Sequence, residues 1–490
     1  MKPKFNLLFS LLAAIGFALV MLSQNVQAQL FWDGTDSTAD ADGGAGTWDT
    51  SSANWDSAAT AGTNTIWNNT THASTVATFG GTAGTVTLGT AITTGGLAFN
   101  TTGYVIAGSA TNTLGGGARS ITTATGVSAT VSARIAGTSL SIAGSGTLTL
   151  SGDNTYSGST SFSGGGIVIA GSNTAFGAGQ LTWNLSTPQT TLRSDGTNRT
   201  FGNSISHAGN FTLGGSGTGN LTFSNTLALG STSKSLTVNA ITAEFQGNIS
   251  RGGGTYTKAG SGTLIFSGNA TSWTSGTFAV SEGTALINGT LGGSANTTVA
   301  SGSTLGGSGR IVGTVSVSGV LASGNNGIES LSTNALTFNN NSTYAFQGNR
   351  DAAAAVAGDL TAVTGALSLS GTVNLTLTDL GTLGTWAAGE KLTLIGYSGA
   401  WNNGLFTYNS SSLVDDSEIN FSGMNWTFNY NDTVAGTNYT GDLTGLTSFV
   451  TMTAIPEPHS ALLCSFSLLL LLRRGRRLID SKSNFPTNLD

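Results

Sequence analysis

Apolar residues alternate with small polar ones in many short runs of this chain, and this spacing limits the possible folds more than any other feature. Examples are Gly146–Leu150, Gly166–Ala170, Gly313–Gly319 and Leu367–Leu377. Successive side chains of a strand point to opposite faces, so each run predicts a strand with one buried face. Glycine, asparagine or Ser-Gly bounds nearly every run, as tight turns require. The sequence therefore predicts an all-β fold.

Composition alone would leave disorder open as an alternative. Charged residues form only 8% of the chain, and the sequence contains 72 glycines. Such a composition also occurs in disordered chains, so the alternating pattern decides for order. The net charge of −6 disfavours nucleic acid as a partner, because a chain of this sign repels phosphate.

An internal repeat narrows the architecture. The segment Gly144–Gly152 recurs as Gly260–Gly268 with seven of nine residues identical. Repeated short strands separated by small turn residues predict a β-solenoid, in which stacked coils of roughly 20 residues bury each other's apolar faces. Tandem β-sandwiches remain the main alternative, since one sequence does not show which strands pair.

The repeat also carries a family resemblance. Gly144–Ala170, with its Gly-Thr-Leu strand and Ser-Gly-Asp-Asn-Thr-Tyr-Ser-Gly turn, resembles the autotransporter-associated β-strand repeat. Ile287–Asn326 is similar to the coils that commonly follow it, whereas the second Gly-Ser-Gly-Thr-Leu copy departs from the pattern after Gly268. We therefore expect a β-solenoid, as a right-handed parallel β-helix with aromatic-rich end caps.

The N-terminus has the organisation of a secretory signal peptide. Lys2 and Lys4 precede an apolar run, Leu7–Leu22, and small residues occupy the two positions that a signal peptidase reads, Val26 and Ala28. We predict cleavage after Ala28, with a signal peptidase and Sec-type export machinery as partners. A permanent membrane anchor is the alternative, but it would need a longer uninterrupted apolar stretch.

The C-terminus carries a second resemblance. A Pro-Glu-Pro motif is followed by the apolar run Ala461–Leu472 and an arginine cluster, in the order of a PEP-CTERM sorting signal. The predicted sorting residues are Pro456, Glu457, Pro458, Arg473, Arg474, Arg476 and Arg477. This resemblance implies transient anchoring in the inner membrane and processing by an exosortase-like enzyme, with the arginines cytoplasmic as the positive-inside rule requires. The 13 residues after Arg477 depart from the family pattern.

These features divide the chain into six predicted regions. They are a signal peptide at 1–28, an N-terminal cap region at 29–84, a β-solenoid at 85–380, a C-terminal β cap region at 381–454, the sorting signal at 455–477 with a short transmembrane segment at 461–472, and a polar tail at 478–490. The autotransporter-associated repeats lie near 144–170 and 260–288 within the solenoid region.

No residue set predicts catalysis, cofactor binding or metal binding. His72 and His207 are far apart in sequence, and we interpret them as solvent-facing or turn residues. Asp415, Asp416 and Glu418 predict a solvated loop, since adjacent carboxylates on a strand would point apart. The N-terminal acids, Asp33, Asp36, Asp40 and Asp42, match no calcium-loop spacing. The tryptophans of Phe31–Trp67 predict an aromatic cap, with carbohydrate stacking as an alternative.

The functional prediction is a non-enzymatic structural or matrix protein of the cell envelope or extracellular polysaccharide, secreted or held at the cell surface. Exopolysaccharide is the expected macromolecular partner. An adhesin or carbohydrate-binding surface protein on the same solenoid is the alternative, and a polysaccharide-acting enzyme is the third possibility.

Overall fold

A computed structural model describes residues 28–35, 38–114, 119–183, 189–293, 296–324, 327–351, 358–436 and 441–456. The described residues form strands and turns without an α-helix. The chain divides into two compact units, with the boundary between Gly268 and Asn269. In each unit nearly all strand pairs are parallel, which confirms the all-β class and the β-solenoid.

Each coil of the first unit contributes strands to two long ladders and, in most coils, to a third side. The first ladder contains Gln29–Trp32, Trp55–Asp56, Asn64–Thr65, Val76–Phe79, Gly96–Phe99, Ser120–Thr123, Leu140–Gly144, Thr160–Phe162, Leu181–Trp183, Ile205–His207, Leu227–Ala228 and Ile249–Arg251. The second contains Gly46–Trp48, Thr85–Leu88, Val105–Ala107, Ser128–Val131, Thr147–Leu150, Ile167–Ala170, Thr191–Ser194, Phe211–Gly214, Lys234–Asn239 and Thr255–Ala259. The third side consists of Ile92–Thr94, Thr111–Leu114 and Arg134–Gly137, and later of Arg199–Phe201, Leu221–Phe223, Thr242–Phe245 and Thr263–Phe266.

Register explains why the alternating pattern recurs about every 20 residues. On the second ladder Leu148 lies opposite Val168, which lies opposite Leu192, and all three are buried. The column continues through Leu213 to Val238. Because the side-chain period along a strand is two, a slip of one residue would turn every apolar side chain outward, so burial fixes the register.

Phenylalanine forms a second buried column on the third side of the same unit. Phe201, Phe223, Phe245 and Phe266 occupy equivalent positions in four successive coils. The ring centroids of Phe223 and Phe245 are 4.9 Å apart and nearly parallel, and those of Phe201 and Phe223 are 5.5 Å apart. Offset aromatic contacts of this kind add to the stabilisation from buried area.

The glycine that opens each copy of the internal repeat is required by backbone conformation. Gly144 and Gly260 both have positive φ, at 86° and 78°. A Cβ on Gly144 would lie 2.1 Å from the carbonyl oxygen of Thr123 in the preceding coil. Only glycine adopts this conformation at little cost, so the repeated Gly-Ser-Gly sequence reflects the close approach of adjacent coils.

Asparagine side chains connect successive turns. Oδ1 of Asn198 accepts a hydrogen bond from the backbone N–H of Asn220 at 2.9 Å, and Oδ1 of Asn220 accepts one from Thr242 at 2.9 Å. Each amide thereby satisfies a backbone donor of the following coil, which a strand ladder leaves unpaired at a turn.

Four tryptophans, Trp32, Trp48, Trp55 and Trp67, cluster with Phe79 near the N-terminus of the first unit, and all five side chains are fully buried. Ring centroids of Trp48 lie 4.7 Å from those of Trp55 and 4.9 Å from those of Trp67. The strand Trp55–Asp56 pairs antiparallel with Gln29–Trp32, in contrast to the parallel coils that follow. The predicted aromatic cluster is therefore present.

The second unit also stacks its coils in three ladders, which we name A, B and C. Ladder A contains Thr277–Val280, Asn296–Val299, Val315–Val317, Leu336–Phe338 and Leu367–Leu369. Ladder B contains Thr284–Ile287, Thr304–Gly307, Val320–Ser323, Ser342–Gly348, Val373–Asp379, Phe406–Tyr408 and Ser411–Ser412. Ladder C contains Thr290–Leu291, Arg310–Ile311, Ser330–Thr333, Leu360–Val363, Lys391–Tyr397, Ser448–Ala454, Met424–Asp432 and Ser417–Phe421, and Ser272–Trp273 is a further short strand.

The C-terminal part of ladder C changes from parallel to antiparallel pairing. Ser448–Ala454 pairs antiparallel with both Lys391–Tyr397 and Met424–Asp432. Aromatic rings fill the adjoining interior, where Trp401 stacks on Tyr430 with ring centroids 4.9 Å apart. An antiparallel end that covers the last parallel strands reduces the open edge available for pairing with another chain.

Candidate functional site

A polar groove of about 620 Å³ lies within the second unit, on the outer face of ladder C. Its floor is built by Thr290, Arg310, Ser330, Ser332 and Ala362, with Thr364 beside them. Turn residues form one wall: Asn269, Asn288, Gly289, Ser308 and Gly309. Asp442, Thr444 and Leu446 of a later loop form the other wall.

Strand alternation places the floor residues outside. Thr290 lies opposite Arg310, and Arg310 lies opposite Ser332. Their neighbours Leu291 and Ile311 are buried in the core. The sequence signal is a short motif, Asn or Ser, then Gly, a polar residue and an aliphatic one, which occurs at 288–291 and again at 308–311. The alternation predicted from sequence thus produces a continuous outward column of polar side chains.

The floor residues become smaller toward one end, which makes room for the covering loop. The column continues from Ser332 through Ala362 to Gly396. A Cβ on Gly396 would lie 2.6 Å from Cδ1 of Leu446, so the loop packs directly on this glycine. Gly441 has a φ of 125°, and a Cβ there would lie 2.5 Å from Oγ of Ser330. Glycine at 441 therefore lets the loop close against the ladder.

One cation and one anion face the groove. Arg310 and Asp442 are both exposed. The ion pairs between described residues join Arg199 to Asp195, Arg350 to Asp379 and Lys391 to Asp432, and Arg310 belongs to none of them. Hydrogen bonds from the side chain and the backbone N–H of Thr444 hold the pKa of Asp442 below its usual value. The groove thus presents a guanidinium and an ionised carboxylate at neutral pH.

The two asparagines of the wall have a defined orientation. Oδ1 of Asn269 accepts a hydrogen bond from the backbone N–H of Thr290 at 3.0 Å, and Oδ1 of Asn288 accepts one from Ser308 at 3.3 Å. Since a backbone N–H can only bond to the amide oxygen, Nδ2 is the atom left for other partners in both residues. No hydrogen bond joins either Nδ2 to another described residue. The wall therefore offers donors from successive coils.

A buried pair of acids lies at the beginning of two neighbouring strands of ladder C. Asp359 is fully buried, and its carboxylate accepts hydrogen bonds from the backbone N–H groups of Glu329 at 3.0 Å and Gln347 at 3.1 Å. Oε2 of Glu329 is buried with no hydrogen-bond partner among the described residues. Burial, with a smaller contribution from Glu329, raises the pKa of Asp359 to about 8 despite the two donors. Sequence reasoning missed this pair, because 30 residues separate the two acids.

The residues predicted for sorting fall at the ends of the described chain. Ala28 is exposed and directly precedes the first strand, Gln29–Trp32. Pro456 is exposed and follows the last strand, Ser448–Ala454. The remaining predicted sorting residues, Glu457, Pro458, Arg473, Arg474, Arg476 and Arg477, lie outside the described residues, as do the rest of the signal peptide and the segment 461–472.

The structure does not bring the candidate carboxylates of the C-terminal region together as an acid and a base. Asp415 accepts a hydrogen bond from the backbone N–H of Tyr430 at 2.9 Å. Asp416 has a positive φ of 62° in a tight turn, and Glu418 is exposed on the strand Ser417–Phe421. All three side chains are exposed, in agreement with a solvated segment.

The N-terminal acids have separate positions. Asp33 is buried and accepts hydrogen bonds from Nδ2 of Asn64 and the backbone N–H of Asp42, whereas Asp40 and Asp42 are exposed. Asp36 lies outside the described residues. Across the part of the chain that the structure describes, no three His, Cys, Asp or Glu side chains converge as a metal site.

The prediction for His207 was wrong. Its side chain is buried rather than exposed or in a turn, with Nδ1 3.2 Å from the hydroxyl of Tyr256 and its ring 5.0 Å from that of Trp183. Burial, together with the nearby charges of Lys234 and Arg251, lowers its pKa to about 3. The residue occupies an inward position of the strand Ile205–His207, which a lone histidine in the sequence did not reveal. His72, as predicted, lies in a turn.

The tryptophan cluster does not form a sugar-stacking platform. The side chains of Trp32, Trp48, Trp55 and Trp67 have no exposed surface. Stacking of a sugar ring needs an accessible aromatic face, so the carbohydrate-stacking interpretation of Phe31–Trp67 fails for these rings.

The passenger-associated-transport-repeat family model matches the chain at residues 143–169 and 257–284. The first match contains the strands Thr147–Leu150, Thr160–Phe162 and Ile167–Ala170 of the first unit. It covers the segment whose sequence resembles the autotransporter-associated repeat. No curated protein matches the chain.

Repeats of this kind on a β-solenoid indicate an exported surface protein. They point to a surface or secreted location. Among the described residues, no helix has the length and apolar character needed to cross a membrane.

Proposed function

We propose that this chain is a non-enzymatic structural protein of the cell surface or extracellular matrix, delivered by its C-terminal sorting signal. The observation that carries this proposal is the position of the passenger-associated repeat within a ladder of parallel coils, where its apolar residues serve as core. Each strand of the repeat is used to stack on the coils before and after it. The conserved chemistry of such a unit is packing, which suits a rigid scaffold.

Exposure at both ends of the described chain supports the processing steps. Cleavage after Ala28 leaves the first strand intact, although the carbonyl of Ala28 accepts a hydrogen bond from the N–H of Val76. Pro456 lies two residues beyond the last strand and is exposed, so a processing enzyme could reach the Pro-Glu-Pro motif without unfolding the solenoid. The proposed partners are a signal peptidase, Sec-type export machinery and an exosortase-like enzyme, with transient contact to the inner membrane.

The dispersed acids support a non-catalytic role. Hydrolysis of a glycosidic bond needs two carboxyl groups on either side of one bond. Asp415 is bound to backbone, Asp416 lies in a turn and Glu418 faces outward from a strand, so these residues offer no such pair.

The sorting proposal is tested by exchanging its parts separately. Replacing Arg473, Arg474, Arg476 and Arg477 with Ser should abolish retention before processing while leaving export intact, because arginine side chains resist transfer across hydrocarbon. Glu457→Ala should leave an unprocessed precursor in the membrane fraction. The measurement is fractionation of membrane and medium, with mass spectrometry of the mature C-terminus. Wild-type protein outside the cell that still ends in Leu489-Asp490 would refute processing.

The groove favours a second candidate function, a carbohydrate-binding surface protein or adhesin. Its lining is almost wholly polar, and hydroxyl, amide, guanidinium and carboxylate groups are all available there. These groups match the hydrogen-bonding surface of a glycan. Association with exopolysaccharide would give the scaffold and the groove a common role.

A further inference from the structure

We propose that the groove on ladder C binds a linear acidic polysaccharide, with Arg310 pairing with a sugar carboxylate and the asparagine wall donating to sugar oxygens. This inference rests on the proposed surface function and names the ligand class that the groove would take. It follows from the donors, the charges and the shape of the groove.

The first argument is the excess of donors along one wall. The backbone of the next coil already occupies Oδ1 of Asn269 and Asn288, so Nδ2 of each residue is directed away from that bond. Coils stack about 4.8 Å apart, a distance comparable to the length of one sugar ring. A polymer with ring and hydroxyl oxygens at each residue can therefore accept from successive coils in the same way.

The second argument is the position of the charges. Arg310 projects from the floor column between Thr290 and Ser332 and forms no ion pair with a described residue. A guanidinium binds a carboxylate in a bidentate manner, with strong charge-assisted hydrogen bonds. Asp442 on the opposite wall is ionised and accepts hydrogen bonds, which suits the donor hydroxyls of the same sugar chain.

The third argument excludes other polymers. No aromatic side chain lines the groove, so it offers no platform for nucleic-acid bases. A peptide added as a strand needs an open sheet edge, whereas the groove lies on a sheet face. Leu446 is its only large apolar residue, which leaves no pocket for apolar peptide side chains.

The test measures binding of oligogalacturonate of uniform length to the purified exported protein by isothermal titration calorimetry. The comparison ligand is the same oligomer with its carboxylates methyl-esterified, which removes the charge and keeps the hydroxyls. We expect the esterified oligomer to bind at least tenfold more weakly. Arg310→Ala should weaken binding of the acidic oligomer about tenfold or more, and Arg310→Lys should have a smaller effect, because it keeps the charge and loses the fork.

Two further variants separate ligand binding from folding. Asn288→Asp keeps an oxygen for the N–H of Ser308 but replaces the outward donor with a negative oxygen, so it should preserve the turn and reduce binding. Arg134→Ala is the matched control, since Arg134 is an exposed arginine of the first unit. Its affinity should equal that of the wild type. Unchanged circular dichroism spectra and melting temperatures establish that the groove variants fold.

Three outcomes would overturn the inference: no binding of the acidic oligomer, equal binding by the Arg310→Ala variant, or equal binding of the esterified oligomer. Export and C-terminal processing are measured independently by fractionation. Normal export without groove binding refutes the ligand proposal alone. Retention of the protein inside the cell refutes the proposed surface function, whatever the affinity.

Discussion

The phenylalanine column of the first unit should be a principal source of cohesion between coils, and Phe245→Ala tests this directly. Phe245 is fully buried between Phe223, at a centroid distance of 4.9 Å, and Phe266, at 6.0 Å. Truncation of a buried phenylalanine to alanine costs about 3–5 kcal/mol through lost transfer energy and a residual cavity. Each lost ring pair adds about 0.5–1.5 kcal/mol. We therefore expect a loss in the upper half of that range, about 4–5 kcal/mol.

The assay is guanidinium unfolding of the exported protein, followed by far-ultraviolet circular dichroism and by hydrogen exchange. Coils interact mainly with their neighbours, so the loss should concentrate in amides of the strands around Phe245 and need not shift every transition equally. Phe245→Leu should cost only about 1 kcal/mol, since it retains most of the volume.

Thr222→Ala is the matched control, because Thr222 lies next to Phe223 and points outward on the same strand. Its effect should stay within about 0.5 kcal/mol. If Phe245→Ala destabilises the protein by no more than Thr222→Ala does, stacking of the phenylalanines does not hold these coils together.

Two further predictions concern stability. Because the pKa of Asp359 is raised to about 8 when folded, the folded state binds more protons than the unfolded state between about pH 4 and pH 8. Stability should therefore fall as pH rises through this window, and Asp359→Asn should flatten the dependence. Chemical denaturation at pH 5 and pH 8 measures both effects, and equal slopes for the two proteins would contradict them. Gly144→Ala should lower the melting temperature by several degrees, because φ is 86° and the added Cβ would clash with the carbonyl of Thr123. The exposed neighbour Ser145 supplies the control, and a Gly144→Ala melting curve that matches Ser145→Ala would refute the clash.

Sequence reasoning located many strands because alternation and glycine are local signals. The run Gly146–Leu150 becomes the strand Thr147–Leu150, and Gly166–Ala170 becomes Ile167–Ala170. The longer run Leu367–Leu377 divides into Leu367–Leu369 and Val373–Asp379, with Gly371 at a φ of 70° between them. Alternation continues across that turn, so periodicity alone did not show that the two strands belong to different ladders.

Properties that depend on lateral pairing were not accessible from one sequence. The groove combines Asn269, Arg310 and Asp442, which are distant in sequence and meet only through coil stacking and the returning loop. The buried acid Asp359 was missed for the same reason, since its burial depends on Glu329 and Gln347 from other strands. His207 could not be distinguished from a surface histidine without knowing which face of its strand points inward.

Parallel sheets ordinarily require the chain to make long excursions before two neighbouring strands can meet. Here the partner of Leu148 is Val168, about 20 residues further along, and the same interval recurs through the ladder. The entropy lost on closing such a short loop is small and is paid one coil at a time. The topology thus has the wide parallel sheets of a slow-folding protein with the local connectivity of a fast one. A chain that crosses a membrane from its N-terminus can accordingly order each coil on the one before it, without waiting for its C-terminal end.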